Sequence, residues 1–266
     1  RGRITEPMVL KPGKNNYEPL SWDDAFQLID QVIKEADDPD RSVFYTSGRT
    51  SNEAAFLYQL FARTLGTNNM PDCSNMCHES SGRGLGEAIG IGKGTVTLED
   101  FDAADLILVI GQNPGTNHPR MLTALRDAKR NGAKIIHINP LPETGLIGFK
   151  HPQDYMKLSF GSDSLSDLFL QVKVGSDAAL MHGLMKIVIE NGALDMDFIQ
   201  QQTTDFEKVK ASIAQTPWAQ IEEDTGLSRA QIDAAGQMCV ASKGTIACWA
   251  MGLTQHRNGV AVIQEV

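Results

Sequence analysis

The fold is decided by LILVIGQNPGTN (106–117), a strand-like stretch with its turn, and by KIIHI (134–138), a second strand-like stretch. Both strands are mostly apolar, which is typical of strands that helices cover on both faces. A helical segment, 119–131, joins them and stops before Gly132, a usual helix-ending residue. This order predicts a right-handed β-α-β crossover between two parallel strands.

The flanking sequence extends this pattern in both directions. We therefore predict an α/β fold with a doubly wound, mostly parallel, Rossmann-like sheet and part of a second α/β domain. The parallel sheet belongs to residues 73–266, and residues 1–72 form a partial domain that this chain leaves incomplete. The other predicted elements are helices at 22–36, 52–65 and 177–191, strands at 42–46, 169–174 and 245–251, helical pieces across 195–242, and a loop at 66–94 with one short helix.

Composition excludes several classes of function. The net charge of −9 argues against a nucleic-acid partner, which would require clustered Lys and Arg. No apolar run reaches the roughly 18 residues that span a bilayer, so no membrane segment is expected. The four cysteines fit a reducing compartment, and we expect a cytoplasmic protein. The opening residues lack a signal peptide and an initiator Met, which predicts an internal fragment of a longer protein.

Three loops follow predicted strands, at 111–117, 138–144 and 252–259. Open α/β sheets bind ligands at the carboxyl ends of their strands, where such loops converge. The loops are rich in Gly, Asn, Thr and Gln, which let the backbone approach a ligand and supply neutral hydrogen bonds, so a nucleotide would fit. The alternative is that these residues are ordinary turn formers. Neither a G-x-G-x-x-G motif nor a P-loop is present.

The stretch NMCHES (75–80) places Cys77 directly before His78 in glycine-rich surroundings. Composition alone favours a structural cysteine, because free Cys is among the most buried residue types. A reactive role would require a thiolate, which the adjacent imidazolium could stabilise. Asp177 follows Gly175 and Ser176, where it is either a helix cap or a group that recognises a guanine edge.

Taken in order, segments along nearly the whole chain resemble the molybdopterin oxidoreductase superfamily, and most closely the formate dehydrogenase alpha subunits. As a series the segments are specific, although several are weak singly. They are EPLSWDDAF, TSGRTSNEAAFLYQLFARTLGTNN, NMCHES, LVIGQNPGTNHPRM, AKRNGAKIIHINP, VKVGSDAALM, GLSRAQI and WAMGLTQHRNG.

The resemblance implies a molybdenum bis(molybdopterin guanine dinucleotide) cofactor. It assigns Cys77 as the metal ligand and His78 as the residue that accepts or relays the substrate proton. It also implies a 4Fe-4S cluster in the full-length protein, outside this chain. The cofactor contacts that carry over are Arg49, Gly111, Asn113, Thr116, Asn139, Gly175, Asp177, Gly252 and Gln255.

The function implied is that of a molybdenum-dependent, formate-dehydrogenase-like oxidoreductase, of which this chain is part of the catalytic subunit. It would carry out a two-electron reaction on a small substrate, formate or similar, and pass electrons to an electron-transfer partner. The chain alone is expected to be inactive, because half of the cofactor cage is absent. The alternatives are a nitrate or other oxoanion reductase of the same superfamily and a non-catalytic nucleotide-binding module. Formate itself stays open, because Glu79-Ser80-Ser81 departs from the small residue and Pro or Ser that usually follow Cys-His.

Overall fold

The chain divides after Met76 into two units, Arg1–Met76 and Cys77–Val266. The computed structural model describes residues 4–46, 50–71, 73–150, 152 and 161–266, with the backbone alone at 73 and 74. The proposed domain limits, 1–72 and 73–266, remain a prediction about the complete protein.

The first unit contains a small hairpin and two helices. Strand β1 (Met8–Val9) pairs antiparallel with β2 (Glu18–Pro19). Helix α1 (Trp22–Glu35) begins after Ser21, whose hydroxyl accepts the Asp24 amide hydrogen. After a 3-10 turn (Pro39–Arg41), helix α2 (Asn52–Thr64) is capped by Ser51 in the same way. Helix α1 buries none of its residues.

The strand predicted at 42–46 is wrong for the described residues, which show no ladder there. The Phe44 amide instead donates a single hydrogen bond to the Asn69 carbonyl, at 2.8 Å. The Phe44 ring packs edge-on against Tyr58 and Phe61 of α2. The aromatic residue that suggested a strand therefore packs against a helix instead.

The second unit is built on a parallel sheet. Its strands are β3 (Leu106–Ile110), β4 (Lys134–Ile138), β7 (Leu168–Leu170) and β8 (Thr245–Trp249), in the order β7-β4-β3-β8. The predicted α/β fold with a parallel sheet is confirmed, although β7 and β8 are shorter than predicted. A separate hairpin joins β5 (Gly148–Phe149) to β6 (Asp163–Ser164).

Both faces of this sheet are buried. Leu108 and Ile110 of β3 point into one apolar cluster, and Ile107 and Val109 point into a second. Alternate residues of a strand point to opposite faces, so β3 must be apolar throughout. Burying each such side chain stabilises the fold by about 1.5–3 kcal/mol.

Helices cover both faces. Helix α6 (Met121–Arg130) contributes Leu122 and Leu125 to the second cluster, and α8 (Asp177–Glu190) contributes Leu180 and Leu184 to the first. Helix α12 (Arg229–Ala241) begins with the predicted capping box of Ser228 and Gln231. The remaining helices are α4 (Asp100–Ala103), α5 (Pro114–Asn117), α7 (Thr144–Ile147), α9 (Met196–Gln202), α10 (Phe206–Gln215), α11 (Trp218–Thr225), α13 (Met251–Thr254) and α14 (Gly259–Glu265).

Residues 66–94 differ most from expectation. Where a loop with one short helix was predicted, the chain forms α3 (Cys73–Ile89), a helix of 17 residues broken by non-helical angles at His78. Its glycines suggested a loop, yet one of them is required by packing. A Cβ on Gly84 would lie 2.8 Å from Ile263 Cγ2, so only glycine allows α14 to approach this closely.

Candidate cofactor site

The loops that leave three strands meet at one edge of the sheet. Ile110, Ile138 and Trp249 lie side by side at the carboxyl ends of β3, β4 and β8. The Gly111 amide donates to the Ile138 carbonyl at 2.9 Å, and the Gly252 amide donates to the Gly111 carbonyl at 3.1 Å. The predicted convergence of the loops after these strands is therefore present.

Glycines bring the backbones of these loops into direct contact. Gly111 has φ of +55°, and a Cβ on Gly252 would lie 2.5 Å from Gly111 Cα. A second close pair is Gly115 and Gly145, where a Cβ on Gly115 would lie 2.4 Å from Gly145 Cα. Side chains at these positions would force the loops apart, so glycine gives this edge its shape.

Two predicted asparagines hold their own loops together. Asn113 Oδ1 accepts the Thr116 amide hydrogen at 3.1 Å and thereby caps α5. Asn139 is buried, and its Nδ2 donates to the Leu141 carbonyl at 2.8 Å. These contacts are the ordinary turn functions that sequence reasoning kept as the alternative. They also set the backbone path of two loops that border the site.

Asp177 is a buried carboxyl group at the first position of α8, only 6% exposed. Burial raises the pKa of this carboxyl above its ordinary value, against a smaller lowering by its own backbone amide and by the charge of His256. Among the described residues it forms no salt bridge. A carboxylate in this position is suited to accept hydrogen bonds from N–H groups of a ligand. Gly175, with φ of +84°, makes the turn that precedes it.

Cys77 is half-buried, and its backbone is hydrogen-bonded to the segment after β8. Its carbonyl oxygen accepts hydrogen bonds from Thr254 Oγ1 at 2.8 Å and from Gln255 Nε2 at 3.2 Å. Ser80 Oγ donates in return to the Thr254 carbonyl at 3.2 Å. Gly259 leaves room for Ser80, since a Cβ there would lie 2.9 Å from Ser80 Oγ. Hydrogen bonds in both directions therefore hold residues 77–80 of α3 at the sheet edge.

The other two described cysteines border the apolar core. Cys239 and Cys248 pack against the two apolar clusters. Burial raises the pKa of the Cys239 thiol and raises that of Cys248 to about 11. Both thiols therefore stay protonated near neutral pH, as the sequence-based interpretation of core cysteines requires.

Hydrogen bonds and backbone contacts thus bring several predicted site residues together. Cys77 is bonded to Gln255, which lies in the loop whose Gly252 meets Gly111. Arg49 lies outside the described residues. Sequence reasoning missed four residues of this edge, although Thr254 and His256 flank the predicted Gln255 and could have been found there. The missed residues are Ser80, Gly145, Thr254 and His256.

Three features of the second unit could receive a ligand. A half-buried thiol, a glycine-lined backbone edge and a buried carboxylate without a salt bridge lie in one unit. No group of three or more His, Cys, Asp and Glu side chains could hold a metal ion in the part of the chain that the structure describes. None of the helices described is long and apolar enough to cross a membrane.

Comparison with known proteins gives one consistent family. Residues 3–266 match the family model described as molybdopterin oxidoreductase. An uncharacterized oxidoreductase of Mycobacterium bovis is 51% identical, over 100% of this chain and 35% of its own length. Formate dehydrogenase H of Escherichia coli is 31% identical, over 99% of this chain and 35% of its own length. The chain therefore spans about a third of the length of these relatives.

The chain shares its fold with solved structures of other proteins. Acetylene hydratase from Pelobacter acetylenicus superimposes with a TM-score of 0.68 at 22% identity. The match covers 99% of this chain and 34% of that one. At this identity the likeness concerns the fold alone.

Proposed function

Since this chain belongs to the molybdopterin oxidoreductase family, we propose that it is part of the catalytic subunit of a molybdenum-dependent, formate-dehydrogenase-like enzyme. The family implies oxidoreductase chemistry with a molybdenum–pterin cofactor. The reaction would be a two-electron oxidation or reduction of a small substrate in the cytoplasm. The chain alone would be inactive, because the rest of the cofactor cage belongs to the longer protein.

One observation carries this proposal: the Cys77 carbonyl is held by Thr254 and Gln255 at the carboxyl edge of the parallel sheet. A structural cysteine would instead pack against an apolar cluster, as Cys239 and Cys248 do. The half-buried Cys77 thiol lies in the unit whose loops and glycines fit a nucleotide-bearing cofactor. A soft thiolate is a suitable ligand for a metal that changes oxidation state.

The remaining site residues would hold the cofactor as a guanine dinucleotide. The backbones at Gly111, Gly175 and Gly252 would approach its phosphates, and Asp177 would accept hydrogen bonds from the guanine N–H groups. Asn113, Thr116 and Asn139 would shape the loops around it, and Gln255 would link them to Cys77. Arg49 would also contact the cofactor, as the resemblance implies.

When bound, the cofactor would supply the capacity to accept or release two electrons. The chain's own residues would bind the metal and transfer the substrate proton. Cys77 would hold the metal through its thiolate, and His78, the exposed neighbour, would accept or relay the substrate proton. A 4Fe-4S cluster elsewhere in the protein would pass the electrons to a partner.

The Cys77-His78 pair favours a formate-like substrate, and the relative named formate dehydrogenase H supports the same branch. Glu79, Ser80 and Ser81 depart from the usual pattern of that branch. Nitrate or another oxoanion is therefore the alternative substrate to be screened alongside formate.

The test is elemental analysis for Mo, W and Fe, with pterin fluorescence after oxidation, on the full-length protein from a cofactor-competent host. We expect near-stoichiometric metal and pterin in the wild type. The Cys77→Ala variant should keep pterin and lose turnover, whereas Cys248→Ala should keep both. Folded full-length protein without metal or pterin would instead indicate a non-catalytic nucleotide-binding module.

A further inference from the structure

His256 lies between two loops of the candidate cofactor site. The Nε2 atom of its half-buried ring is 2.7 Å from the carbonyl oxygen of Gly252, in the segment after β8. A carbonyl oxygen can only accept, so Nε2 carries a hydrogen and donates it. At the other ring nitrogen, a Cβ on Gly175 would lie 4.0 Å from His256 Nδ1. The ring therefore separates the segment after β8 from the turn that leads into α8.

The backbone of Gly252 is held from both sides. Its N–H donates to the Gly111 carbonyl at 3.1 Å, and its carbonyl accepts from His256. Helix α13 ends at Thr254, so a carbonyl in its last turn lacks the backbone donor that a longer helix would supply. The His256 ring supplies that donor instead. It thereby helps to fix the backbone that packs against Gly111.

The turn at Gly175 brings a buried carboxyl group close to the same ring. Asp177 is 6% exposed and forms no salt bridge among the described residues. Burial raises the pKa of the Asp177 carboxyl, and the charge of His256 opposes this effect. His256 is therefore close enough to influence the charge of Asp177.

We propose that His256 is a positioning residue, which holds the glycine pair Gly111–Gly252 and the Asp177 carboxyl group in one arrangement for a single extended ligand. This inference rests on the proposed function, in which the glycine backbones approach phosphates and Asp177 accepts from the N–H groups of a base. The ligand class that suits both ends is a purine nucleoside diphosphate. His256 acts on this ligand through Gly252 and Asp177.

A fixed arrangement matters because loops that are free to move must be ordered when a ligand binds. The free energy spent on this ordering is lost from the affinity. The two segments here, 175–177 and 252–256, are far apart in sequence, and the His256 ring lies between them. Loss of its hydrogen bond to Gly252 should therefore weaken ligand binding about tenfold, the usual effect of one hydrogen bond.

The first experiment measures the affinity for guanosine diphosphate. Full-length protein from a host that makes no pterin cofactor is titrated by calorimetry. His256→Leu should bind the nucleotide about tenfold more weakly than wild type, whereas His256→Gln, whose amide can still donate to Gly252, should recover most of the loss. The matched control is His182→Leu, since His182 is a half-buried histidine that pairs with Glu265 instead. Equal affinities in wild type and His256→Leu, or no binding by the wild type, would overturn the proposal.

A double-mutant cycle separates positioning from loss of stability. Asp177→Asn, His256→Leu and the combined variant are titrated in the same way. If His256 acts by placing Asp177 relative to Gly252, the combined loss of affinity should be several-fold smaller than the product of the two single losses. A histidine that only supports the fold would lower the urea midpoint of unfolding and give losses that multiply. That second result would contradict a positioning role.

The two proposals fail in different ways. Full-length protein that never holds metal or pterin, yet binds guanosine diphosphate in a manner that depends on His256, would remove the proposed function and support this inference. A metal-loaded, active protein whose affinity for the nucleotide is unchanged in His256→Leu would remove the inference and leave the function.

Discussion

Thr254 donates its hydroxyl hydrogen to the carbonyl oxygen of Cys77 over 2.8 Å, across 177 positions of sequence. Thr254 is buried, and it lies in the short helix α13 directly after the central sheet. The segment after β8 therefore holds the backbone of the cysteine through two side chains, those of Thr254 and Gln255.

Thr254→Val keeps the shape of the side chain and removes the donor. Losing one buried hydrogen bond should lower the free energy of unfolding by about 1–2 kcal/mol. Because the bond fixes Cys77, the variant should also lose metal, as measured by elemental analysis, while Thr254→Ser should retain it. The control is Thr225→Val, which removes two buried hydrogen bonds that do not involve Cys77: the one that Thr225 donates to the Ile221 carbonyl and the one that it accepts from the Leu227 amide. Equal metal contents in the two valine variants would contradict the connection.

Asp177→Asn tests the buried carboxylate. Burial raises the pKa of Asp177, so the charged form costs free energy in the folded state. Below the unfolded-state pKa both states are protonated and the cost is absent; it appears as pH rises through the folded pKa. The cofactor-free variant should therefore be more stable than wild type at neutral pH and equal to it in acid, as measured by urea unfolding.

The same substitution should weaken cofactor retention, because the amide is a poorer acceptor for guanine N–H groups. Asp197→Asn is the matched control, since Asp197 also lies in the first turn of a helix but is exposed. Lower stability of Asp177→Asn at neutral pH would show that the carboxylate is stabilised within the chain.

His137 is a fully buried ring in β4, and neither of its nitrogens has a hydrogen-bond partner among the residues that the structure describes. Burial, aided by the charge of Lys129 and opposed by Asp167, lowers the pKa of His137 from 6.5 to about 4. The folded state therefore holds the neutral ring while the unfolded state binds a proton. The contribution of His137 to the free energy of unfolding is therefore full above pH 6.5. It decreases by roughly 3 kcal/mol as the pH falls toward 4.

Urea unfolding between pH 4 and 7 should show that His137→Leu removes most of this dependence. His118→Gln, at an exposed position, should keep the wild-type profile. If His137→Leu loses as much stability between pH 7 and pH 4 as the wild type does, groups other than His137 cause the loss.

Gly252→Ala tests the contact between loops. The added methyl would lie 2.5 Å from Gly111 Cα, so the two backbones must separate. We expect a loss of about 1–3 kcal/mol, the usual cost of overpacking, together with weaker cofactor binding. Gly244→Ala is the control, because nothing lies within 4 Å of its added methyl. Similar unfolding midpoints for the two variants would argue against a tight contact.

The sheet could be predicted because the residues that define its strands and their connection are close in sequence. Strands β3 and β4 are apolar and are joined by a helix that ends before Gly132, so their parallel pairing follows from short-range pattern. The convergence of the loops after Ile110 and Ile138 then follows from strand direction alone.

Helix α3 and the hydrogen bonds to the Cys77 carbonyl could not be predicted in this way. The glycines of α3 have low helix propensity, and the reason for Gly84 is Ile263, far along the chain. Thr254 likewise contacts Cys77 only after folding. The aromatic pattern at 42–46 also misled, because Phe44 packs against α2. Long-range packing decided each of these cases.

The most direct test of the central claim is Mo K-edge X-ray absorption on the metal-loaded, full-length protein and its Cys77→Ser variant. If Cys77 is the protein ligand, the wild-type metal has one more sulfur neighbour than the variant, in which an oxygen takes its place. Identical metal environments in the two proteins, at equal metal content, would contradict the account and return Cys77 to a structural role.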